Sequence, residues 1–216
     1  MYTLIAGTQD WSSWSLRPYL ALMATGAKFK MQVIPLRQPK TRAAILKHSP
    51  SGKVPLLKFK DQAVWDSLAI CEFLAERHPK AGLWPKNAAA RAMARSYAAE
   101  MHSGFPDIRS QLTMDFARKL PLPELRPETQ QQIARIIQAW EFALKKYGGK
   151  NGFLFGRFSI ADCMYAPVVS RFTTYNVKVP KRVKAYMEKV WALPGMQAWL
   201  KAAEAEVASG VNVWPG

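Results

Sequence analysis

Two short runs of the chain have the residue types and order needed to hold a small anionic peptide: Lys53-Val54-Pro55 and Asp66-Ser67. A proline just before an apolar strand cannot donate to a sheet ladder, so it belongs at a strand start or edge. If its bond is cis, Val54 can turn its backbone N–H and C=O toward a ligand. Ser67 is predicted near the start of a helix, where free N–H groups and the dipole bind carboxylates. The alternative is an ordinary hairpin followed by a helix with an Asp-Ser start.

Val54-Pro55 followed by Asp66-Ser67 resembles the glutathione-binding motif of the cytosolic glutathione transferases. The resemblance implies that Val54 pairs with the cysteinyl backbone of glutathione and that Asp66 and Ser67 hold its γ-glutamyl end. Lys53 matches a position where theta-like members place a lysine near the glycyl carboxylate, and Lys40 is an alternative for that role. Asp66 stands where many members have glutamate or glutamine.

The loop after the first predicted strand contains Ser12, Ser13 and Ser15, and the resemblance places the residue that activates the glutathione thiol here. A free thiol has a pKa of about 8.5, and a hydroxyl that donates a hydrogen bond to sulfur favours the thiolate. The family's serine-type pattern, with the active serine four residues before an arginine, selects Ser13. Its zeta-like pattern, Ser-Ser-Cys-Ser, selects Ser12. Ser15 is predicted to cap the first helix; alternatively, all three serines are loop and cap residues.

Trp14 stands where the zeta-like pattern has cysteine. Family members that reduce disulfides use a cysteine in this loop, and this loop has none. Cys71 is predicted on the apolar face of the third helix, so cysteine-based thiol transfer is disfavoured.

The run from Glu100 to Phe105 resembles a segment of a bacterial subgroup of the same family. His102 suggests a general base because its ordinary pKa lies near neutrality, and a structural role beside a helix bend is the alternative. Met101, Phe105 and Met114 are candidates for lining an apolar second-substrate pocket or for the core.

The hydrophobic pattern of residues 1–78 predicts the order β-α-β-α-β-β-α, which is that of an α/β thioredoxin-like domain with a mixed four-stranded sheet. Residues 79–87, with two prolines and a glycine, are predicted as a linker. Residues 88–216 are predicted to form an all-α helical domain that lines the second-substrate pocket. In it, a helix over Ala88–Ser103 is expected to bend at Gly104–Pro106 and to resume towards Arg118.

Ser159 and Asp162 have the spacing of a helix N-cap and its third helical residue, so they predict a capping box. Glycine followed by Ser-x-Ala-Asp in an all-α half resembles the family's folding motif. The predicted role of Asp162 is structural.

The charge is strongly basic: the 216 residues carry a net +16, of which residues 1–85 contribute +7 and residues 86–216 contribute +9. Ten Lys or Arg and no Asp or Glu lie between Trp11 and Lys60. Such a field attracts anions, which makes glutathione, an acidic second substrate or nucleic acid candidates, with a solvated surface as the alternative. No stripe of aromatic residues interleaved with basic ones accompanies the charge, so nucleic acid is the less favoured candidate partner.

Cys71 and Cys163 are predicted to be reduced core residues, and the three histidines are too scattered to predict a metal site. No apolar stretch is long enough to cross a bilayer, and no secretory signal pattern is visible. The expected location is the cytoplasm.

The resemblance implies a glutathione transferase of a serine-type, bacterial, theta- or zeta-like kind. It would join the thiolate of glutathione, its co-substrate, to a small apolar electrophile in a detoxification role. The family implies a homodimer. The alternatives are a zeta-like glutathione-dependent isomerase and a non-catalytic module of the same fold that binds an anionic partner such as RNA.

Overall fold

The computed structural model describes residues 1–210, and its N-terminal part is built on a four-stranded sheet. The strands are β1 (Tyr2–Gly7), β2 (Phe29–Ile34), β3 (Leu56–Phe59) and β4 (Gln62–Val64). They lie in the order β2-β1-β3-β4, with β1 and β2 parallel and the other pairs antiparallel. The predicted mixed sheet of a thioredoxin-like domain followed by a helical part is therefore confirmed.

Helices, with the loops between them, connect the strands and form the rest of residues 1–210. They are α1 (Ser13–Thr25), α2 (Thr41–Leu46), α3 (Ser67–Arg77), α4 (Ala88–Ser103), α5 (Pro106–Gln111), α6 (Pro127–Lys146), α7 (Ile160–Thr174), α8 (Lys181–Trp191) and α9 (Pro194–Ala208). A short 3-10 helix, Pro79–Ala81, lies in the predicted linker. The predicted bend between α4 and α5 is confirmed. The last six residues of the predicted helical domain lie outside the described residues.

Helix α1 joins the two parts of the molecule, since it packs against α3 and also against α7 and α9. It ends at Gly26, whose left-handed φ of 69° is a conformation that glycine adopts without strain. Leu16, Leu20 and Leu22 are almost fully buried. One hydrophobic cluster consequently runs from β1 to α9, so α1 is held rigidly where it meets the loop that precedes it.

The predicted continuation of the helix to Arg118 is wrong, because α5 ends at Gln111. Beyond it, the backbone N–H groups of Phe116 and Ala117 donate to one carboxylate oxygen of Asp10, at 2.8 and 2.9 Å. The buried Arg171 side chain donates to the carbonyl of Leu112. These contacts occupy the groups that a longer helix would have used, and they tie the segment to the loop that carries the serines.

The predicted capping box at the start of α7 is confirmed. Within residues 1–210 no helix has the length and apolar character to cross a membrane. Among the same residues no three His, Cys, Asp or Glu side chains cluster in a way that could hold a metal ion.

Candidate functional site

A pocket of about 690 Å³ lies between the segment before β3 and the first residues of α3. Four of the predicted binding residues border it, which are Lys53, Val54, Asp66 and Ser67. The other residues that line it are Trp14, Leu36, Ile45, Ser51, Gly52, Pro55 and Trp65. Lys40 is not among the lining residues. Two runs that are separate in the sequence thus meet at one concave surface.

The segment before β3 leaves an open backbone edge in this pocket. The Val54–Pro55 bond is cis, and the pairing of β3 with β1 starts only at Leu56. No described residue forms a hydrogen bond with the backbone N–H or C=O of Val54. Backbone polar groups are strong and rarely unpaired when shielded from water, so this edge is suited to an extended ligand backbone.

Asp66 caps helix α3 at the other side of the pocket. Its Oδ1 accepts a hydrogen bond of 2.7 Å from the backbone N–H of Leu68, and its side chain remains 46% exposed. The remaining N–H groups of the first turn and the helix dipole favour an anion here.

Ser67 has the least usual environment of the pocket residues. Its side chain is fully buried, and none of the described residues hydrogen-bonds its Oγ. A buried hydroxyl without a partner costs about 1–3 kcal/mol, and such groups are uncommon in native proteins. Because Ser67 borders the pocket, a ligand oxygen is a candidate partner for the hydroxyl.

The serine loop lies beside the pocket, and Trp14 is its one residue among the pocket's lining residues. Ser12, and not Ser15 as predicted, occupies the N-cap position of α1. Ser15 lies within the helix, where its Oγ accepts hydrogen bonds from the Gly7 backbone and from Ser12 Oγ, at 3.0 and 2.8 Å. The Ser15 hydroxyl is engaged by Gly7 of β1, and the Ser12 side chain forms no capping hydrogen bond with the helix backbone.

Ser12 and Ser13 differ in what their hydroxyls do. The Ser12 hydroxyl donates its proton to Ser15 Oγ. The Ser13 hydroxyl forms no hydrogen bond with any described residue, and Ser13 is only 7% exposed. Neither serine lines the pocket itself, although both directly precede Trp14.

Two arginines place positive charge against Trp14, and the sequence reasoning proposed neither of them as a site residue. The guanidinium carbons of Arg17 and Arg109 lie 4.2 and 4.7 Å from the centre of its rings. Arg17 is 1% exposed, and its Nε and Nη1 have no hydrogen-bond partner among the described residues. Burial and the nearby Arg109 and Arg171 lower the pKa of Arg17 to about 9. Arg17 follows Trp14 by about one helical turn and is the arginine of the serine-type pattern that selects Ser13. No local pattern predicts the contact of Arg109 with Trp14.

His102 of α4, in the helical part, also contacts Trp14 and Asp66. Its Nε2 lies 3.3 Å from Oδ2 of Asp66, and its ring meets Trp14 edge-on at 5.3 Å between centres. Burial lowers the pKa of His102 below its usual value, and the charges of Arg17 and Arg109 add to this, while Asp66 acts in the opposite direction. The imidazole is therefore mainly neutral at pH 7.

The remaining candidates are in the core. Met101, Phe105 and Met114 are at most 6% exposed and belong to the main hydrophobic cluster. Cys71 and Cys163 are fully buried free thiols, as predicted. Burial raises the pKa of the Cys71 thiol, which leaves it unreactive.

Comparisons with known protein families match both parts of the chain. Residues 11–77 match the model described as "Glutathione S-transferase, N-terminal domain", and residues 123–202 match "Glutathione S-transferase, C-terminal domain".

Curated relatives differ in their names. A probable maleylacetoacetate isomerase from Caenorhabditis elegans is 26% identical over 166 residues, which are 77% of each chain. A stringent starvation protein A homologue from Coxiella burnetii is 24% identical over 216 residues, covering 95% of this chain and 94% of the relative.

Solved structures share the fold over nearly the whole length. A Burkholderia glutathione transferase homologue with bound glutathione superposes with a TM-score of 0.72 at 23% identity, covering 94% of this chain and 98% of its own. A sphingomonad glutathione S-transferase complexed with glutathione has a TM-score of 0.68 at 25% identity, covering 93% of this chain and 98% of its own.

Proposed function

Because this chain belongs to the glutathione transferase family, we propose that it binds glutathione in the 690 Å³ pocket and joins the thiolate to a small apolar electrophile. The backbone of Val54 pairs with the cysteinyl residue of glutathione. Asp66, Ser67 and the N-terminus of α3 hold the γ-glutamyl end, and Lys53 lies on the side of the glycyl carboxylate.

One observation carries this proposal: the fully buried Ser67 hydroxyl without a described partner, across the pocket from the unpaired backbone of Val54. A carboxylate oxygen of glutathione would accept from Ser67, and a charge-assisted bond of this kind contributes about 1.5–3 kcal/mol. The peptide backbone of glutathione would satisfy Val54. The pocket therefore offers both an extended edge and an anion site to a short peptide.

The thiolate requires a donor, and Ser13 is the better of the two predicted serines. Its hydroxyl is uncommitted, whereas Ser12 donates to Ser15. The buried charge of Arg17 next to Trp14 adds a positive potential that favours the anion. In the reaction the thiol proton leaves to solvent and sulfur forms the new bond to carbon. The electron pair of the broken bond departs with the leaving group.

The proposal is tested in two steps. The protein should be retained on immobilised glutathione at near-physiological salt and eluted by free glutathione; failure to bind would overturn it. Turnover of 1-chloro-2,4-dinitrobenzene should then fall at least about tenfold in Ser13→Ala and much less in Ser12→Ala. The opposite order would assign the thiolate to Ser12.

A zeta-like isomerase is the second candidate, because a curated relative is a probable maleylacetoacetate isomerase and the chain has the doubled serine. In that reaction glutathione is regenerated and not consumed. Conversion of a cis to a trans unsaturated diketo acid at constant glutathione concentration would favour the isomerase over conjugation.

A non-catalytic module is the third candidate, favoured by the net charge of +16 and by relatives named stringent starvation protein A homologues. Binding of RNA with a steep dependence on salt, without retention on glutathione, would favour it. Homodimer formation and a cytoplasmic location remain part of the proposal and are tested by sedimentation and by fractionation.

A further inference from the structure

The end of α6 and the loop that follows it carry aromatic and basic side chains in alternation. Residues 142–158 contain five aromatic residues, four Lys or Arg and no Asp or Glu, and the nearest acids in sequence are Glu141 before them and Asp162 after them. The expectation that no stripe of this kind accompanies the basic charge is therefore wrong for this segment. None of its residues lines the 690 Å³ pocket, so the proposed glutathione chemistry gives it no role.

The rings at the end of α6 contact one another at the surface. Phe142 is 48% exposed, and its ring meets that of Tyr147 at 6.5 Å between centres. The ammonium nitrogen of Lys146 lies 5.4 Å from the centre of each ring, within the range of a cation–π contact. Tyr147 in turn stacks on the buried Phe155, at 5.2 Å between centres and an angle of 29°. The exposed Phe142 therefore lies beside a ring that is held in place.

The loop after α6 adds a further ring and a lysine from another helix. It turns back on itself, because the backbone N–H of Gly152 donates to the carbonyl of Gly148 at 3.1 Å. The next residue, Phe153, is half-buried, and the ammonium nitrogen of Lys189 in α8 lies 5.3 Å from its ring centre. Aromatic and basic side chains thus also meet here, although Lys189 is distant in sequence.

The lysines of this surface have no acidic partner among residues 1–210. Lys146, Lys150 and Lys189 are exposed, and none of them forms an ion pair with a described carboxylate. Glu188 is next to Lys189 in sequence but approaches Lys184 instead, at 3.9 Å. The surface therefore carries positive charge that the fold does not neutralise.

Helix stability does not account for the whole arrangement. Lysines in the last turn of a helix interact favourably with its dipole, which explains Lys145 and Lys146. It does not explain Lys150, which lies beyond the helix. It also does not explain the exposure of Phe142, a residue type that is usually buried. An exposed ring beside unpaired lysines is instead suited to a flat ligand that carries negative charge.

We propose that this surface binds single-stranded nucleic acid, with a base stacked on Phe142 and backbone phosphates at the lysines. Bases of any sequence stack on aromatic side chains, and neighbouring basic side chains neutralise the phosphates. The net charge of +16 attracts a polyanion from a distance. The residues that form the surface are Phe142, Lys146, Tyr147, Lys150, Phe153 and Lys189.

A membrane surface fits these residues less well. Of the three rings only Phe142 is exposed, while Tyr147 and Phe153 are half-buried, and binding to a bilayer requires a larger apolar face. The proposal leaves the 690 Å³ pocket free, so it does not depend on the proposed function. It also differs from the third candidate function, because nucleic acid and glutathione can be bound at the same time.

The first test is a fluorescence-anisotropy titration of a labelled single-stranded RNA of about 12 nucleotides, with glutathione at saturation. Phe142→Leu keeps an apolar side chain and removes the ring, so it should weaken binding at least about fivefold with the same dependence on salt. Phe142→Trp is the matched control. It retains a stacking surface and should bind within about twofold of wild type.

The second test concerns the phosphates. Each phosphate contact contributes about 0.7 to the slope of log K against log salt for a single strand, so Lys146→Gln, Lys150→Gln should lower the magnitude of this slope by about 1.4. Lys28→Gln, Lys30→Gln is the matched control, because it removes the same charge from exposed positions in the N-terminal part. It should leave the slope nearly unchanged.

Several results would overturn the proposal. They are no binding of the RNA by wild type, equal binding by Phe142→Leu and wild type, equal changes of slope in the two lysine variants, and release of the RNA by glutathione. Binding to vesicles of phosphatidylserine and phosphatidylcholine in place of RNA would also overturn it and assign the surface to a membrane. Cooperative thermal unfolding of each variant shows that it is folded.

Discussion

Helices α3 and α7 both begin with a serine and an aspartate, yet they use these residues in opposite ways. At α7, Asp162 is fully buried and accepts from Leu154 N–H, Ser159 N–H and Ser159 Oγ at 2.9–3.1 Å. At α3, Asp66 is about half exposed and accepts one backbone bond, and Ser67 Oγ has no described partner.

The difference lies in whether the polar groups are satisfied within the chain. A closed capping box satisfies each donor and acceptor, so it stabilises the fold and offers nothing to a ligand. The α3 start leaves a hydroxyl, several helix N–H groups and a carboxylate oxygen beside a pocket. The same residue types therefore indicate a ligand site only where the fold leaves their hydrogen-bonding groups without partners.

The largest expected effect is on stability, in Asp162→Ala. The substitution leaves two buried N–H groups and the Ser159 hydroxyl without their acceptor, and we expect the free energy of unfolding to fall by about 3–5 kcal/mol. Urea denaturation followed by circular dichroism measures it. Asp66→Ala is the matched control and should lose only about 0.5–1 kcal/mol, the contribution of one exposed cap. Equal losses in the two variants would contradict the comparison.

The second effect is a dependence of stability on pH that comes from Asp162. Burial raises its pKa from 3.8 to about 6, although its hydrogen bonds lower it. Since the folded pKa lies above the unfolded one, the folded state holds the proton longer, so stability falls as pH rises from about 4 to 6 and is level above that. The fall is about 1–3 kcal/mol.

Asp162→Asn removes this titration. The difference in unfolding free energy between wild type and the variant should therefore change between pH 4 and pH 6 and stay constant from pH 7 to pH 8. A difference that is the same at all these pH values would show that Asp162 does not titrate in this window.

The third effect is on affinity, in Ser67→Ala. Loss of the proposed bond to a glutathione carboxylate should raise the Kd for glutathione about 10–100-fold by calorimetry. The free energy of unfolding of the unliganded protein should not fall, and it should rise by up to about 1–3 kcal/mol, because the substitution removes a buried hydroxyl that has no partner. Ser159→Ala should behave in reverse, with about 1–2 kcal/mol less stability and unchanged Kd. A Ser67→Ala protein that binds normally but unfolds more easily would remove the main support for the site.

Sequence reasoning found the parts of the pocket that lie in continuous runs. Local strand and helix signals predict the places of Val54, Asp66 and Ser67, and they also predict the capping box that starts at Ser159. It failed where a distant group decided the local structure. Ser15 lies inside α1, where its Oγ accepts from the Gly7 N–H of β1. Beyond Gln111 the N–H groups of Phe116 and Ala117 donate to Asp10 instead of to a continuing helix.

The sequence indicates His102 as a candidate general base, but no local pattern predicts that His102 and Arg109 lie beside Asp66 and Trp14. His102 and Arg109 lie in or after α4, more than 30 residues from Asp66 and further still from Trp14. Only the contact of the helical part with α1 and α3 places them there. The approach of His102 to Asp66 and of Arg109 to Trp14 is thus a property of how the two parts of the fold meet, whereas the charge of Arg17 belongs to the N-terminal part alone.

The smallest expected effect is on the pKa of His102, and the variant that tests it is Asp66→Asn. The amide oxygen keeps the cap of α3, so the helix and its stability should be nearly unchanged. The variant removes the negative charge 3.3 Å from His102 Nε2, the one influence that raises the pKa of this histidine against burial and the two arginines. The pKa of His102 should therefore fall further below that of wild type, as followed by the ring proton shifts in an NMR titration. An unchanged or higher pKa would mean that Asp66 faces the solvent and the pocket without coupling to the helical part.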